Sequence, residues 1–337
     1  MKKLRILSID GGGVKGIIPA IICEYLENEI SKKVGQKVYL HEYFDLIVGT
    51  STGGILGALY TSPNYHSAQE IVELYKNCGD KIFKKNIIRR VSSFGGILRP
   101  KYSTKALEEL AESLFGDINL SDTVKPFMST SYDLIRAKEI FFDSLNAKRK
   151  PLKNFKLKDV VIATSSAPVY FNAKRLISLN DDIYNCIDGG IFANNPALIA
   201  YAEARNIDFK KHLKEDKPSF PGSDDMILIS IGTGKKEGYK NYEHLKTKGG
   251  AKWVVPIIDI LFSAQSNTDD FVLRKIFDSS KNKWNYYRLN PRLYKASLEL
   301  DNKSKDNIEN LSHDAYEFIK NNKDKLDDIV LQLILNH

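Results

Sequence analysis

LRILSIDGGGVKGIIPAIICEYLENEI, residues 4–30, holds one complete structural unit. Leu4 to Ile9 is a short apolar run rich in isoleucine and leucine, closed by Asp10 and three glycines. It reads as a buried strand running into a tight turn. Ile17 to Ile30 then carries apolar residues at helical spacing. YFDLIV at 43–48 repeats the pattern as a second strand, and Ser51 to Tyr60 continues as a helix packed with small residues. Two strand–loop–helix units so close together predict a parallel sheet with helices on its faces.

Residues 61–127 are expected to be mostly helical, with Ser103-Thr104 opening a helix over Lys105 to Phe115 and Gly116 ending it. Pro126 to Leu134 and Glu139 to Asp143 read as strands, and Lys148-Arg149-Lys150 as a surface loop. Lys158 to Ser166 reads as a helix broken by Pro168. Asn185 to Ile187 is a strand that ends in Asp188-Gly189-Gly190. Asn194-Asn195-Pro196 then opens a helix, with Asn as cap and Pro at the first helical position. Met226 to Ile231 is a late buried strand, and Lys235 to Gly250 a polar loop or flap. Ile308, Leu311, Ala315, Phe318 and Ile319 share one helical face, and Leu326, Ile329, Val330 and Leu333 another. The expected division is a catalytic core over 1–235 and a loop and helical extension over 236–337.

Composition narrows the function classes. With 337 residues and 42% apolar content the chain can bury a substantial core. Cys23, Cys78 and Cys186 are odd in number and far apart, so neither a disulfide framework nor a zinc site is implied, and a reducing, cytoplasmic setting is expected. The N-terminal apolar stretch is interrupted by Arg5 and Asp10, and Leu46 to Tyr60 falls short of the ~18 apolar residues of a membrane span. A formal charge of +8 and a pI near 9.0 favour contact with anionic surfaces. No nucleic-acid-binding motif is present, which leaves an acidic lipid surface or a lysine-rich solvated face.

Three loops carry the chemistry. Asp10-Gly11-Gly12-Gly13-Val14-Lys15-Gly16 presents bare backbone N–H groups beside a helix start, suited to a phosphate or an oxyanion. It also satisfies the dinucleotide-binding pattern, but Asp10 and Lys15 are unusual there, and Glu27 and Glu29 fall inside a helix rather than at a strand end. Gly49-Thr50-Ser51-Thr52-Gly53 has the form of a nucleophile elbow between strand and helix. It can equally be a helix start made of small residues for close packing. A serine nucleophile needs a base. Of the histidines after Ser51, His66, His212, His244, His313 and His337, none ends a strand. Asp188 does, and the two glycines after it leave room around its carboxylate.

DGGGVKG at 10–16, GTSTG at 49–53 and DGG at 188–190 together resemble the patatin-like phospholipases. KYSTKALEELAESLFGD at 101–117, TSYDL at 130–134, ATSSAPVYF at 163–171, DGGIFANNPALIAYAEA at 188–204 and ISIGTG at 229–234 extend the resemblance. It implies a three-layer α/β/α sandwich around a central, mostly parallel sheet, and a Ser51–Asp188 dyad without histidine. It further implies an oxyanion hole at Gly11, Gly12 and Gly13, supported by Asp10, Lys15, Gly16, Gly49, Gly53, Gly189 and Gly190, and no metal or cofactor. Where the family usually has arginine this chain has Lys15, which keeps the charge and loses the planar fork. The implied activity is serine lipid acyl hydrolysis of phospholipids or other acyl lipids, with peripheral contact to an anionic membrane and no nucleic-acid partner. The alternatives are a membrane-degrading effector of the same family switched on by a small nucleotide activator, a dinucleotide-binding protein using Gly11–Gly16, and a catalytically dead lipid-binding module.

Overall fold

Leu4–Ile9 forms β1, and every residue of it is buried because both faces of the strand are covered. Leu7 and Ile9 pack in the cluster that includes Ile18, Ile22 and Leu26 of α1 (Ile17–Val34), while Leu4 and Ile6 pack in a second cluster on the other face. The period of two along the strand thus divides one apolar run between two cores. Gly35, with φ 76°, takes the left-handed turn that ends α1. The structure is a computed structural model and describes residues 2–82, 100–213, 216–236, 250–279 and 285–337.

The chain continues through β2 (Leu46–Gly49), α2 (Thr52–Thr61), α3 (Ala68–Ile82) and α4 (Lys105–Phe115). There follow β3 (Phe127–Asp133), β4 (Lys138–Asp143), α5 (Ser144–Arg149), α6 (Leu157–Thr164), β5 (Lys174–Ile177) and β6 (Ile183–Asp188). Next come α7 (Gly190–Ala193), α8 (Ala197–Ala204), α9 (Phe209–Leu213), β7 (Met226–Ile231) and α10 (Gly250–Asp278). The described chain closes with β8 (Tyr286–Leu289), α11 (Lys305–Asn321) and α12 (Lys323–Leu335). The strands form one mixed sheet in the order β5-β6-β3-β2-β1-β7-β8, with β4 also paired to β3. β3, β2, β1, β7 and β8 run parallel. Helices α1, α2, α6, α11 and α12 contribute to one core; α8 and α10 contribute to the other, through Ala197, Ala200, Tyr201, Leu273 and Phe277. The result is the α/β/α sandwich expected from the alternation of elements.

At the end of β1 away from the glycine loop, Asp45 is buried between two cations. It pairs with the Arg5 guanidinium at 2.7 Å and the Lys217 ammonium at 3.0 Å. Lys217 also donates to the Lys3 and Asn336 carbonyls, which ties the last turn of the described chain to β1.

Several expectations are corrected. β6 is not a further parallel strand: it runs antiparallel to both β3 and β5, and local sequence does not encode strand direction. Lys148 and Arg149 belong to the last turn of α5, whose start is capped by the Asp143 carboxylate accepting from the Leu145 N–H at 2.8 Å; only Lys150 lies beyond it. The long helix α10 was hidden by Pro256 inside it. β5 and β8 are too short to announce themselves, and β8 extends the sheet beyond β7. Residues 83–99 of the expected helical stretch, and 237–249 of the expected flap with His244, lie outside the described residues.

Candidate active site

Ser51 sits where β2 gives way to α2, and its backbone takes φ 55°, ψ −123°, a conformation rare for a residue with a side chain. Three bonds hold this turn. The Ser51 N–H donates to Thr164 Oγ1 at 2.9 Å, the Gly53 N–H to the Thr50 carbonyl at 2.8 Å, and the Ile55 N–H to the Ser51 carbonyl at 3.1 Å. Gly53 has no room for a side chain, since a Cβ there would lie 2.1 Å from the Ile9 carbonyl oxygen. The elbow is pressed directly onto the end of β1. Strain held by surrounding bonds is the usual mark of a working position.

Asp188 is brought to Ser51 by β3. Along one edge of that strand Ser129 pairs with Gly49 and Ser131 pairs with Asp188. β2 and the antiparallel β6 therefore meet end to end, their carboxyl termini facing each other. The intervening Ser-Thr-Ser run of β3 clamps both: Ser129 Oγ donates to the Gly49 carbonyl at 2.9 Å, Ser131 Oγ to the Ile187 carbonyl at 2.6 Å, and the Thr130 hydroxyl bonds that of Thr50 at 2.7 Å. Gly189 lies flat on Thr130, where a Cβ would come within 2.2 Å of Oγ1.

Asp188 is fully buried. Its Oδ1 accepts from the Gly190 N–H at 2.7 Å, while Oδ2 is without a well-aligned hydrogen bond among the described residues. Burial pushes the carboxyl pKa up to about 7; the neighbouring Ser51 hydroxyl and the Gly190 N–H oppose that rise. A carboxyl lifted to that range is a far better proton acceptor from a hydroxyl than a free aspartate.

The glycine loop packs against the same elbow, with a Cβ on Gly11 falling 3.2 Å from that of Ser51. The Gly11 N–H is already used, donating to the Asn194 carbonyl at 2.9 Å, and its carbonyl accepts from Thr233 Oγ1 at 2.9 Å. The N–H groups of Gly12 and Gly13 have no acceptor among the described residues. Gly13, at φ 59°, opens a short 3-10 turn through Gly16. Asp10 is buried and gripped by the Arg288 guanidinium of β8 at 2.8 and 2.5 Å, with Ser266 Oγ of α10 donating to it at 3.0 Å. Burial raises the Asp10 pKa, against the pull of Arg288.

Two cavities open on either side of this loop. An apolar channel of about 910 Å³, its mouth included, is lined by Gly13, Ser51 and Asp188 together with Ile55, Leu74, Leu107, Leu110, Leu114, Tyr170 and Phe171. A polar cavity of about 1420 Å³ is lined by Asp10, Gly11, Gly12 and Lys15 with Asn194, Thr233, Lys235, Lys236, Asn267 and Asn290. Phe262 and Leu300 border both. Burial brings the Lys15 pKa down to about 8, with the Asp259 and Asp10 carboxylates opposing the fall. No described histidine lines either cavity; the side chain of His313 is 57% exposed on α11. The sequence profile of the patatin-like phospholipase family matches residues 7–201, which include all three loops.

The chain belongs to the patatin-like phospholipase family. Members of this family are lipid acyl hydrolases. "Patatin-like protein 2" of Oryza sativa subsp. indica is 34% identical over 340 residues, covering 92% of this chain and 82% of the relative. "Patatin-like protein 2" of Arabidopsis thaliana is 35% identical, covering 94% and 83%. "Patatin group M-2" of Solanum tuberosum is 32% identical, covering 91% and 81%. Among solved structures, VipD from Legionella pneumophila aligns with a TM-score of 0.36 at 11% identity, over 94% of this chain and 67% of that one.

In this patatin-like chain Ser51, Asp188, Gly13 and the flanking glycines converge, as their strand ends suggested. Lys15 instead faces the polar cavity. Arg288, Ser266, Thr164 and Thr130 escaped sequence reading. Of these only the Ser129-Thr130-Ser131 run, hydroxyls inside an otherwise apolar strand, left a local signal.

The Asp188 carboxyl gives a paired prediction. Ester hydrolysis that uses it as a base should rise with pH through about pH 7. Because its folded pKa is raised, its contribution to stability is full below the unfolded value and is lost as pH rises through the folded one. Relative to the parent, Asp188→Asn should therefore gain stability between about pH 4 and about pH 8. Denaturant unfolding of both proteins across that range checks this, and a pH-independent difference would contradict the buried, titrating Asp188.

Proposed function

We propose that the chain hydrolyses acyl esters of phospholipids through a Ser51–Asp188 dyad. Ser51 Oγ attacks the ester carbonyl while Asp188 Oδ2 takes its proton. The developing oxyanion is received by the N–H groups of Gly12 and Gly13, the donors left free once Gly11 is bonded to Asn194. Collapse of the tetrahedral intermediate expels the alcohol, which recovers the proton from Asp188. Water then attacks the acyl-serine, again giving its proton to Asp188, and the fatty acid leaves with Ser51 restored.

The observation that carries the reading is the shared wall. Ser51 and Asp188 line one apolar channel, of a lining suited to a fatty acyl chain. The polar cavity across the glycine loop, with Lys15 inside it, suits the headgroup side of the same molecule. Among the described residues no helix is long and apolar enough to cross a membrane. The buried, unpaired thiols of Cys23 and Cys186 fit the reducing, cytoplasmic setting expected from the sequence.

Incubation with a panel of defined phospholipids should release free fatty acid, and a fluorophosphonate should label Ser51 covalently. Labelling at another serine, or none with fatty-acid release intact, would reject the dyad. Neither labelling nor release would favour a catalytically dead lipid-binding relative.

A further inference from the structure

Helix α10 buries one face and leaves an apolar row on the other. Ile258, Phe262, Ser266, Leu273 and Phe277 are buried. Ile257, Ile260, Leu261 and Phe271 are 48%, 36%, 46% and 62% exposed, and Ala264 and Thr268 fill the turns between them. Spacings of three and four place these residues along one stripe. An apolar stripe facing water over several turns marks an interaction surface rather than chance exposure.

We infer that this face of α10 docks on a phospholipid membrane bearing anionic headgroups, with Ile257, Leu261 and Phe271 entering the interface beside the active site. The inference rests on the lipid-hydrolase reading for its occupant and on three observations of its own. The stripe is continuous with the site: Phe262, one position beyond Leu261, lines the channel that holds Ser51 and Asp188, and Ile260 lines the polar cavity. Charge is complementary: exposed Lys235 and Lys236 stand at that cavity with Ile260, and the Lys275 ammonium lies 5.7 Å over the Phe271 ring. No carboxylate stands in the row from Ile257 to Phe271; Asp259, Asp269 and Asp270 are half-buried on its flanks, and exposed Asp278 lies at the end of the helix, beyond Lys275. Large apolar side chains edged by lysines are what an interfacial helix presents to acidic lipid. A lipid leaving the bilayer there would meet the channel mouth without crossing open water.

The test separates docking from catalysis. Full-length Ser51→Ala protein, with and without Ile257→Ser, Leu261→Ser and Phe271→Ser, is sedimented with vesicles of phosphatidylcholine alone or mixed equally with phosphatidylglycerol. The parent should partition onto the mixed vesicles, less so at high salt, and the triple variant about tenfold more weakly. With Ser51 intact, the triple variant should keep its turnover of a water-soluble short-chain ester and lose turnover of vesicle lipid. Equal vesicle binding by parent and variant overturns the inference, as does a parent dimer that the three substitutions convert to monomer. Vesicle binding that the variant loses, in a protein with no esterase activity at all, would uphold the docking face and reject the hydrolase reading.

Discussion

Ser51→Ala is expected to lower acyl-ester hydrolysis by about a thousandfold or more while leaving unfolding by denaturant nearly unchanged. The loss follows from the step removed: without Oγ there is no acyl-enzyme, and the Gly12 and Gly13 donors can only assist direct attack by water. The fold should hold because the elbow's conformation is fixed by backbone bonds to Thr164, Thr50 and Ile55, none of which uses the Ser51 side chain. Fatty-acid release and a urea titration on the same preparation check both halves. A variant that keeps more than a few per cent of activity would move the nucleophile elsewhere. The substitution also has a side effect worth measuring. The Ser51 hydroxyl opposes the rise of the Asp188 pKa more than the Gly190 N–H does, so its removal should push that pKa higher still. Any residual, water-driven activity should then climb at higher pH than in the parent.

Arg288→Met is the second large effect, and it strikes stability and activity together. Arg288 and Asp10 are both buried, and the guanidinium spans both carboxylate oxygens while also reaching Ser230 and Ser266. Burial works against the charge on Arg288, yet the Asp10 carboxylate holds its pKa above the ordinary value. Truncating one member of a buried pair leaves the other charge without compensation, at a cost of about 3–5 kcal/mol. Asp10 directly precedes the glycine loop, so relief of that charge by local movement would displace the Gly12 and Gly13 donors. Unfolding midpoints of Arg288→Met, Asp10→Asn and the double variant should show coupling of at least about 1 kcal/mol. The double variant should recover stability and not hydrolysis. Additive midpoints would mean that the pair does not brace the loop.

The sheet's central strands, the glycine loop and the Ser51 turn were legible because each is announced locally. β1 and β7 are mostly apolar runs with glycine within two residues of their ends, and the elbow is a small-residue turn between strand and helix. What stayed hidden depends on distance or direction. The partner that grips Asp10 lies 278 positions away, and a lone arginine in YYRL carries no sign of a buried acid opposite it. Asp188 was found because it ends a strand, but nothing local told that the strand runs against its neighbours rather than with them. α10 was missed because Pro256 and an apolar surface on both sides obscure the amphipathic period that usually reveals a helix.

The end-to-end meeting of β2 and β6 makes β3 a ruler. Ser51 and Asp188 lie far apart in the chain, yet their spacing is measured on three consecutive residues, Ser129, Thr130 and Ser131. Outside α2 and α6, whose Ile55 and Thr164 hold the elbow, and Ser166, whose carbonyl takes the Asp188 N–H, the segments between Gly53 and Pro126 and between Leu134 and Asp182 do not enter that measurement. A one-residue slip along β3 would spoil it at once. The chain therefore separates two kinds of freedom: the segments that line the apolar channel away from the elbow can drift, while the mark against which Ser51 and Asp188 are set stays put.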